Sequence, residues 1–254
     1  MASSTTIARP RRRALAIFLN RLTYALCRHW FASFVLLGET LVILPWLAPV
    51  FMKFGLVGAA QTIYMLYSYA CHQLPQRSFF LFGPQFMIPL DQIRATWRDT
   101  ANPLVLRQFI GSPELGYKVA WSDRMVSMYT SIFLGALLWW PFRRRIASLP
   151  VWGLVLAALP MAVDGLSHMA SDLAGIGQGF RDSNLWLANL TGNQLPTSFY
   201  IGDAIGSFNS WMRLLTGAIF GVCLAWMIFP VLQELYEDGA RQIEKKFARA
   251  GVPL

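Results

Sequence analysis

The sequence predicts an all-α fold, a polytopic bundle of transmembrane helices, and three observations carry the prediction. Of 254 residues, 55% are hydrophobic and only 14% are charged, against about 25% charged in ordinary soluble domains. The mean hydropathy is +0.42. The apolar residues also come in blocks close to the roughly 20 that a helix needs to cross the hydrocarbon core.

Residues 1–30 form a basic amino-terminal segment. No small-residue cleavage site follows MASSTTIARPRRR, so a removed signal peptide is not expected. Ala14–Trp30, ALAIFLNRLTYALCRHW, carries Arg21 and Arg28 and is short for a span. It reads as an amphipathic helix lying in the membrane interface.

Residues 31–232 predict the bundle, with about five spans. Phe31–Met52 is interrupted by Glu39, Pro45 and Pro49, and Phe54–Leu74 follows it after Lys53 and a glycine-containing turn. Met125–Phe142 ends at Arg143, Arg144 and Arg145, and Pro150–Met169 and Ser210–Leu232 complete the set. Two long connections, 73–123 and 170–209, are rich in Gly, Pro, Asn and Asp and read as loop with short helices. Residues 233–254 read as a charged helical tail.

Five spans place both loops on one face, and Lys53, the arginine triplet and the tail on the other. The amino-terminal segment, with Arg9, Arg11, Arg12, Arg13, Arg21 and Arg28, then falls on the loop side. The positive-inside rule is therefore pulled both ways, with a preference for a cytoplasmic amino terminus and loop face. A sixth span within Ala14–Trp30 would reverse it. The net charge of +9 fits lipid headgroups better than nucleic acid. Cys27, Cys71 and Cys223 make no disulfide framework.

Chemistry gathers at the loop-side ends of four predicted helices. The second span closes on Cys71 and His72, with Arg77 beyond; the third opens after Ser122, Asp123 and Arg124. Asp164 and His168, and Asn209 and Arg213, stand four residues apart and share helical faces. Singly, such residues snorkel or cap. Asp164 and Arg213 lie inside apolar sequence, where an ionisable group costs about 2.5–3.5 kcal/mol and needs a partner or a wet cavity. Asp164 is expected to pair with Arg213 or Arg124. Asp123, Asp164 and His168 are acid–base candidates. His72, Arg77, Arg124, Asn209 and Arg213, with Arg181 from the second loop, are substrate-binding candidates, since arginine offers paired donors to phosphate or carboxylate. The GAIFG motif after Arg213, and Ser127, Ser131 and Gly135 on the third span, predict close helix packing. Glu39 reads as a proton-relay group or as a neutral acid bonded to a neighbouring helix.

CHQLPQRSFFLFG, DRMVSMYTSIFLGAL, PMAVDGLSHM and NSWMRLLTGAIFG together resemble family twenty eighty-five of the domains of unknown function, a group of predicted prokaryotic membrane proteins. The resemblance implies a multi-pass protein of a prokaryotic cell membrane and no established reaction. Where many members have CxRC, this chain reads Ser122-Asp123-Arg124-Met125. A zinc site of Cys71, His72 and two further thiolates is thereby excluded. Cys71, His72 and His168, with Asp123, are the remaining metal-capable residues, and no cofactor is expected.

Three functions fit. The first is an enzyme or binding protein for an anionic lipid or lipid-linked substrate. The second is an ion-coupled transporter, and the third a non-catalytic subunit or assembly factor of a membrane complex. The partners expected are membrane lipids, with a second copy or a membrane-complex partner compatible with the sequence.

Overall fold

Hydropathy and length single out four helices able to cross a membrane: Trp30–Lys53, Asp123–Phe142, Val151–Asp172 and part of Phe208–Ala250. The computed structural model describes residues 8–254, with side chains from Arg12 onward. The opening MASSTTI, and the side chains of Arg9 and Arg11, lie outside the described residues. In chain order the elements are α1 (Ala8–Arg28), α2 (Trp30–Lys53), α3 (Val57–Ser68), β1 (Ser78–Leu81), α4 (Leu90–Thr96), α5 (Pro103–Leu106), β2 (Gly111–Ser112), β3 (Gly116–Ser122), α6 (Asp123–Trp139), α7 (Val151–Asp172), α8 (Phe180–Ser183), α9 (Leu185–Leu190), α10 (Thr197–Tyr200) and α11 (Phe208–Ala250).

The second expected span is a correction. Its 12 residues make α3 about 18 Å long, well short of a hydrocarbon core of about 30 Å. The helix folds back along α2, where the Tyr67 hydroxyl donates to the Leu41 carbonyl at 3.0 Å. It stops because two side chains take over the backbone donors that would continue it. The Cys71 Sγ accepts from the Gln73 N–H at 3.4 Å, and the His72 Nδ1 accepts from the Leu74 N–H at 3.1 Å. The metal-capable pair is thus a helix stop.

With four spans the sides are reassigned. The start of α6, the end of α7 and the start of α11 meet on one face, together with α3 and both long connections. The other face holds α1, the Arg143–Arg145 corner and the end of α11, and Lys53 moves to the loop side. Helix α11 has 43 residues and so runs about 64 Å, roughly twice the hydrocarbon thickness. Its distal half leaves the bundle as a stalk. Helix α1 lies against that stalk. Tyr24 donates to Glu244 at 2.9 Å, Lys246 donates to Asn20 at 3.0 Å, and Arg21 donates to the Pro253 carbonyl at 2.7 Å.

An aromatic cluster closes the bundle where the stalk begins. Trp30 stacks on Tyr236 and Phe229, and Phe31 stacks on Trp140 with ring centroids 3.9 Å apart. Helices α6 and α11 form the closest pair in the bundle. A Cβ at Gly221 would come within 2.4 Å of the Met128 carbonyl oxygen. Only glycine lets the backbones approach that far.

The first long connection is not mostly loop. It contains an antiparallel sheet in the order β1-β3-β2, with Ser78 opposite Ser122 and Phe80 opposite Lys118. Trp46 of α2 stacks on Phe79 of β1, which seats the sheet on the loop-side end of α2. The two connections are tied together by Arg94, whose guanidinium donates to the Thr100 and Ile176 carbonyls. This framework carries the residues that meet the helix ends.

Candidate functional site

Four arginines and four aspartates meet at the loop-side ends of α6, α7 and α11. They form two strings. In the first, Asp172 takes two N–H groups of Arg77 at 2.7 and 2.8 Å, and the Arg77 Nε donates to Asp203 at 2.8 Å. Asp203 in turn accepts from the Arg213 Nη1 at 2.6 Å, and the Arg213 Nε donates to both oxygens of Asp123 at 2.9 Å. In the second string Arg124 and Arg181 share Asp164, at 2.6 and 2.8 Å. The backbone N–H of Arg124 donates to Asp123 at 2.8 Å and joins the two.

The local sequence explains the assembly. Asp123 opens α6, where a carboxylate complements the helix dipole, and Ser207 caps α11 by accepting from the Ser210 N–H. Asn209 is therefore free for another task. Its Oδ1 accepts from the Arg181 Nε at 3.1 Å, and its side-chain amide donates to the carbonyls of Arg181 and Gly202. Gly165, beside Asp164, leaves room for Arg124, since a Cβ there would lie 2.9 Å from the Arg124 Nη1.

Burial makes these pairs obligatory. Asp123 is 0% exposed and Arg213 2%, so each charge needs its partner. Burial alone would raise the Asp203 carboxyl, but Arg77 and Arg213 outweigh it and hold the group well below the usual carboxylate range. Burial works against Arg77 in the same way, and Asp203 and Asp172 reverse it, so this guanidinium stays charged. Lys118 of β3 has no carboxylate. Its ammonium, 0% exposed, donates to the Gln73 and Arg107 carbonyls at 2.8 Å each. Burial pushes its pKa down to about 7.

The two strings are not equally balanced. The first holds three aspartates and two arginines, and the second two arginines and one aspartate. The surplus positive charge falls on Arg124. Arg181 uses all three of its nitrogens, on Asp164, Asn209, Ser167 and His168. Arg124 makes one ion pair, and its buried Nε has no partner.

Beside Arg124 lies a cavity of about 530 Å³, lined among others by His72, Ser122, Arg124, Met125, His168 and Met169. The His168 Nε2 faces the Arg181 Nη2 at 3.2 Å. A guanidinium only donates, so Nε2 accepts and the neutral ring carries its proton on Nδ1. That Nδ1 is also buried without a partner. Two orphan donors, the Arg124 Nε and the His168 Nδ1, therefore belong to residues that line one cavity. His72, at its rim, is kept neutral by the protein around it and by the Arg77 charge, which lower its pKa to about 3 although its ring edge is exposed.

The structure brings together all the residues singled out at the helix ends, but not in one role. Arg77 and Arg213, expected to face a substrate, spend nearly all their donors on aspartates. Asp123 and Asp164, expected as acid–base groups, are the acceptors that hold the arginines and do not line the cavity. Asp164 pairs with Arg124 as expected, and with Arg181. Sequence reasoning missed Asp172 and Asp203, which come from the end of α7 and from the second connection; their only signal was that four inward arginines demand four acids. Among the described residues no three His, Cys, Asp or Glu side chains are placed to hold a metal ion. The Cys71 Sγ accepts instead from the backbone N–H groups of Gln73 and Ser122. Glu39 lies exposed on the outer face of α2, beside Leu36 and Leu37.

Comparison with known proteins fits this picture. An uncharacterized protein of Methanocaldococcus jannaschii is 25% identical over 176 residues, which cover 68% of this chain and 70% of the relative. No solved structure matches the chain. A family described as Predicted membrane protein (DUF2085) matches residues 114–227, a range that takes in α6, α7 and most of the membrane-spanning part of α11. CHQLPQRSFFLFG precedes that range, and the three other segments that carry the resemblance lie within it. Over the helices that build the site, the chain resembles this family of predicted membrane proteins.

Proposed function

We propose that the loop-face cavity binds the polar head of a lipid or lipid-linked molecule carrying phosphate or carboxylate. One observation carries the reading: Arg124, the arginine with surplus charge, and His168 line one cavity, and among the described residues each keeps a buried donor without a partner. An anion in the cavity would offset the charge that the single ion pair of Arg124 leaves over. Met125, Met169 and Leu173 give the same cavity an apolar side, which suits a ligand arriving from within the bilayer. The role is binding, since the acid–base groups other than His168 are committed to arginines.

The test is native mass spectrometry of protein purified in mild detergent. Arg124→Gln is the informative variant, because Asp164 keeps Arg181 as its partner. The expected result is a co-purifying anionic lipid or lipid-linked molecule that is lost in Arg124→Gln and His168→Phe while the melting temperature moves by only a few degrees. A ligand held equally by wild type and variants, or no ligand in any of them, would overturn the reading.

We further propose that the protein is a multi-pass protein of a prokaryotic cell membrane, with its loop face outside. Thirteen of the 22 basic residues lie on the stalk face against four acidic ones, while the loop face carries nine basic and eight acidic residues. With four spans, the amino-terminal arginines, the triplet and the tail all pull the same way under the positive-inside rule. The conflict met with five spans disappears. An impermeant thiol reagent applied to intact cells should label Gln194→Cys and spare Lys245→Cys; the reverse pattern would invert the placement.

A further inference from the structure

A cavity larger than the one at the ion-pair network lies at the opposite end of the bundle. It lies on the stalk face, has a volume of about 1050 Å³, and is lined by Trp30, Trp140, Arg28 and all three residues of the Arg143–Arg145 corner, with α11 forming the opposite wall. We propose that this cleft is a phosphate site that takes the headgroup of an anionic phospholipid.

Four observations support it. First, the corner is fastened rather than loose. The Ser148 hydroxyl donates to the Met227 carbonyl at 2.7 Å, the Trp226 indole donates to the Ala147 carbonyl at 2.9 Å, and the Leu149 N–H meets the Trp226 carbonyl at 3.4 Å. The backbone just after the three arginines is therefore held against one helix. Second, Arg143 is oriented: it lies 4.0 Å over the Trp140 ring and donates to the Trp140 carbonyl at 3.0 Å. A guanidinium stacked in this way keeps its outer edge free for a paired contact with phosphate oxygens.

Third, the charge is not fully compensated. Among the described residues Arg28, Arg143, Arg144 and Arg145 make no ion pair, whereas the acids of the opposite wall are largely engaged. Glu237 pairs with Arg241, and Glu244 accepts from Tyr24. Glu234 and Glu244 keep their charges, so four arginines face two carboxylates. Fourth, two tryptophans of the aromatic cluster, Trp30 and Trp140, line the cleft, and tryptophan is enriched at the headgroup level of a bilayer. Its apolar wall would meet the first methylenes of an acyl chain while the arginines meet the phosphate. This site is separate from the loop-face cavity, and either can fail without the other.

The experiment compares protein in neutral detergent micelles doped with phosphatidylglycerol, with phosphatidylcholine, or with inorganic phosphate alone, read by native mass spectrometry and by quenching of Trp30 and Trp140 fluorescence. Phosphatidylglycerol should be retained at least about tenfold better than phosphatidylcholine, a difference of about 1.4 kcal/mol. The exposed pair Arg144→Gln/Arg145→Gln should abolish that preference, and Arg144→Lys/Arg145→Lys should restore part of it. Inorganic phosphate that quenches as strongly as the lipid would keep the phosphate site and make its ligand a soluble one. Equal retention of the two lipids by wild type, or an undiminished preference in the glutamine variant, would overturn the proposal. A charge cluster that serves orientation alone would give that last result.

Discussion

The two ends of the bundle use arginine in opposite ways. On the loop face Arg77, Arg181 and Arg213 are buried, Arg124 is half-buried, and the four are matched by Asp123, Asp164, Asp172 and Asp203. On the stalk face Arg143, Arg144 and Arg145 stand at the surface with no carboxylate of their own. The contrast follows from what each end can reach. Buried guanidinium groups must be neutralised by the protein, at a desolvation cost that only good geometry offsets. Arginines at a membrane boundary can leave that to lipid phosphates. Arginine content therefore does not locate a ligand site. The number of donors left over does.

The largest expected effect comes from breaking the loop face. Asp203 joins two arginines, so Asp203→Asn takes one of two carboxylates from each of Arg77 and Arg213 and leaves the eight-residue cluster with one buried positive charge in excess. A loss of about 3–5 kcal/mol is expected, read as a collapse of the thermal transition in mild detergent or as failure to accumulate in the membrane. A variant that melts within a few degrees of wild type would mean that water reaches the network and that the two faces differ less than their geometry says.

How much of this was legible in the sequence divides along the same line. Apolar blocks reveal α2, α6, α7 and α11 because a bilayer imposes length and composition on each helix separately. The i, i+4 spacings of Asp164 with His168 and of Asn209 with Arg213 likewise expose the helix ends of the site. What failed was everything that depends on distant partners. Val57–Ser68 is apolar enough to read as part of a span, and it stops where Cys71 and His72 capture backbone donors, a geometry that hydropathy does not encode. The short strands β1 and β3 pair across some forty residues. Asp172 and Asp203 look like ordinary polar residues until the loops fold back over the bundle. Helix α1 is basic and amphipathic, which suits a membrane surface and the side of another helix equally well. Counting one span too many put the amino-terminal segment at the loop-side end of the bundle, whereas α1 lies along α11 at the opposite end.

A smaller effect sharpens the comparison, because Lys118 is the exception on the loop face: a buried cation with carbonyl partners only. Its pKa is about 7 in the fold and about 10.4 in an unfolded chain. Between these values the unfolded state binds the extra proton, so stability rises with pH across that window and flattens below its lower edge. The gain should approach about 1.4 kcal/mol per pH unit at most, measured by chemical unfolding in detergent from pH 7.5 to 9.5. Lys118→Met should remove the slope. A slope unchanged in that variant would assign the pH dependence to another group.

The smallest expected effect is the most discriminating. Arg144→Gln/Arg145→Gln removes two charges where Asp203→Asn removes one, yet it should alter stability by no more than about 0.5 kcal/mol, because exposed groups without partners contribute little to the folded state. The measurement is the same thermal transition in the same detergent, so the two ends are compared on one scale. A loss near that of Asp203→Asn would show that the corner arginines are held by hidden pairs, and the stalk face would become a second structural network. A flat response beside a collapsed loop-face variant would leave the corner with charge that the fold does not need, and charge of that kind is available to bind a ligand.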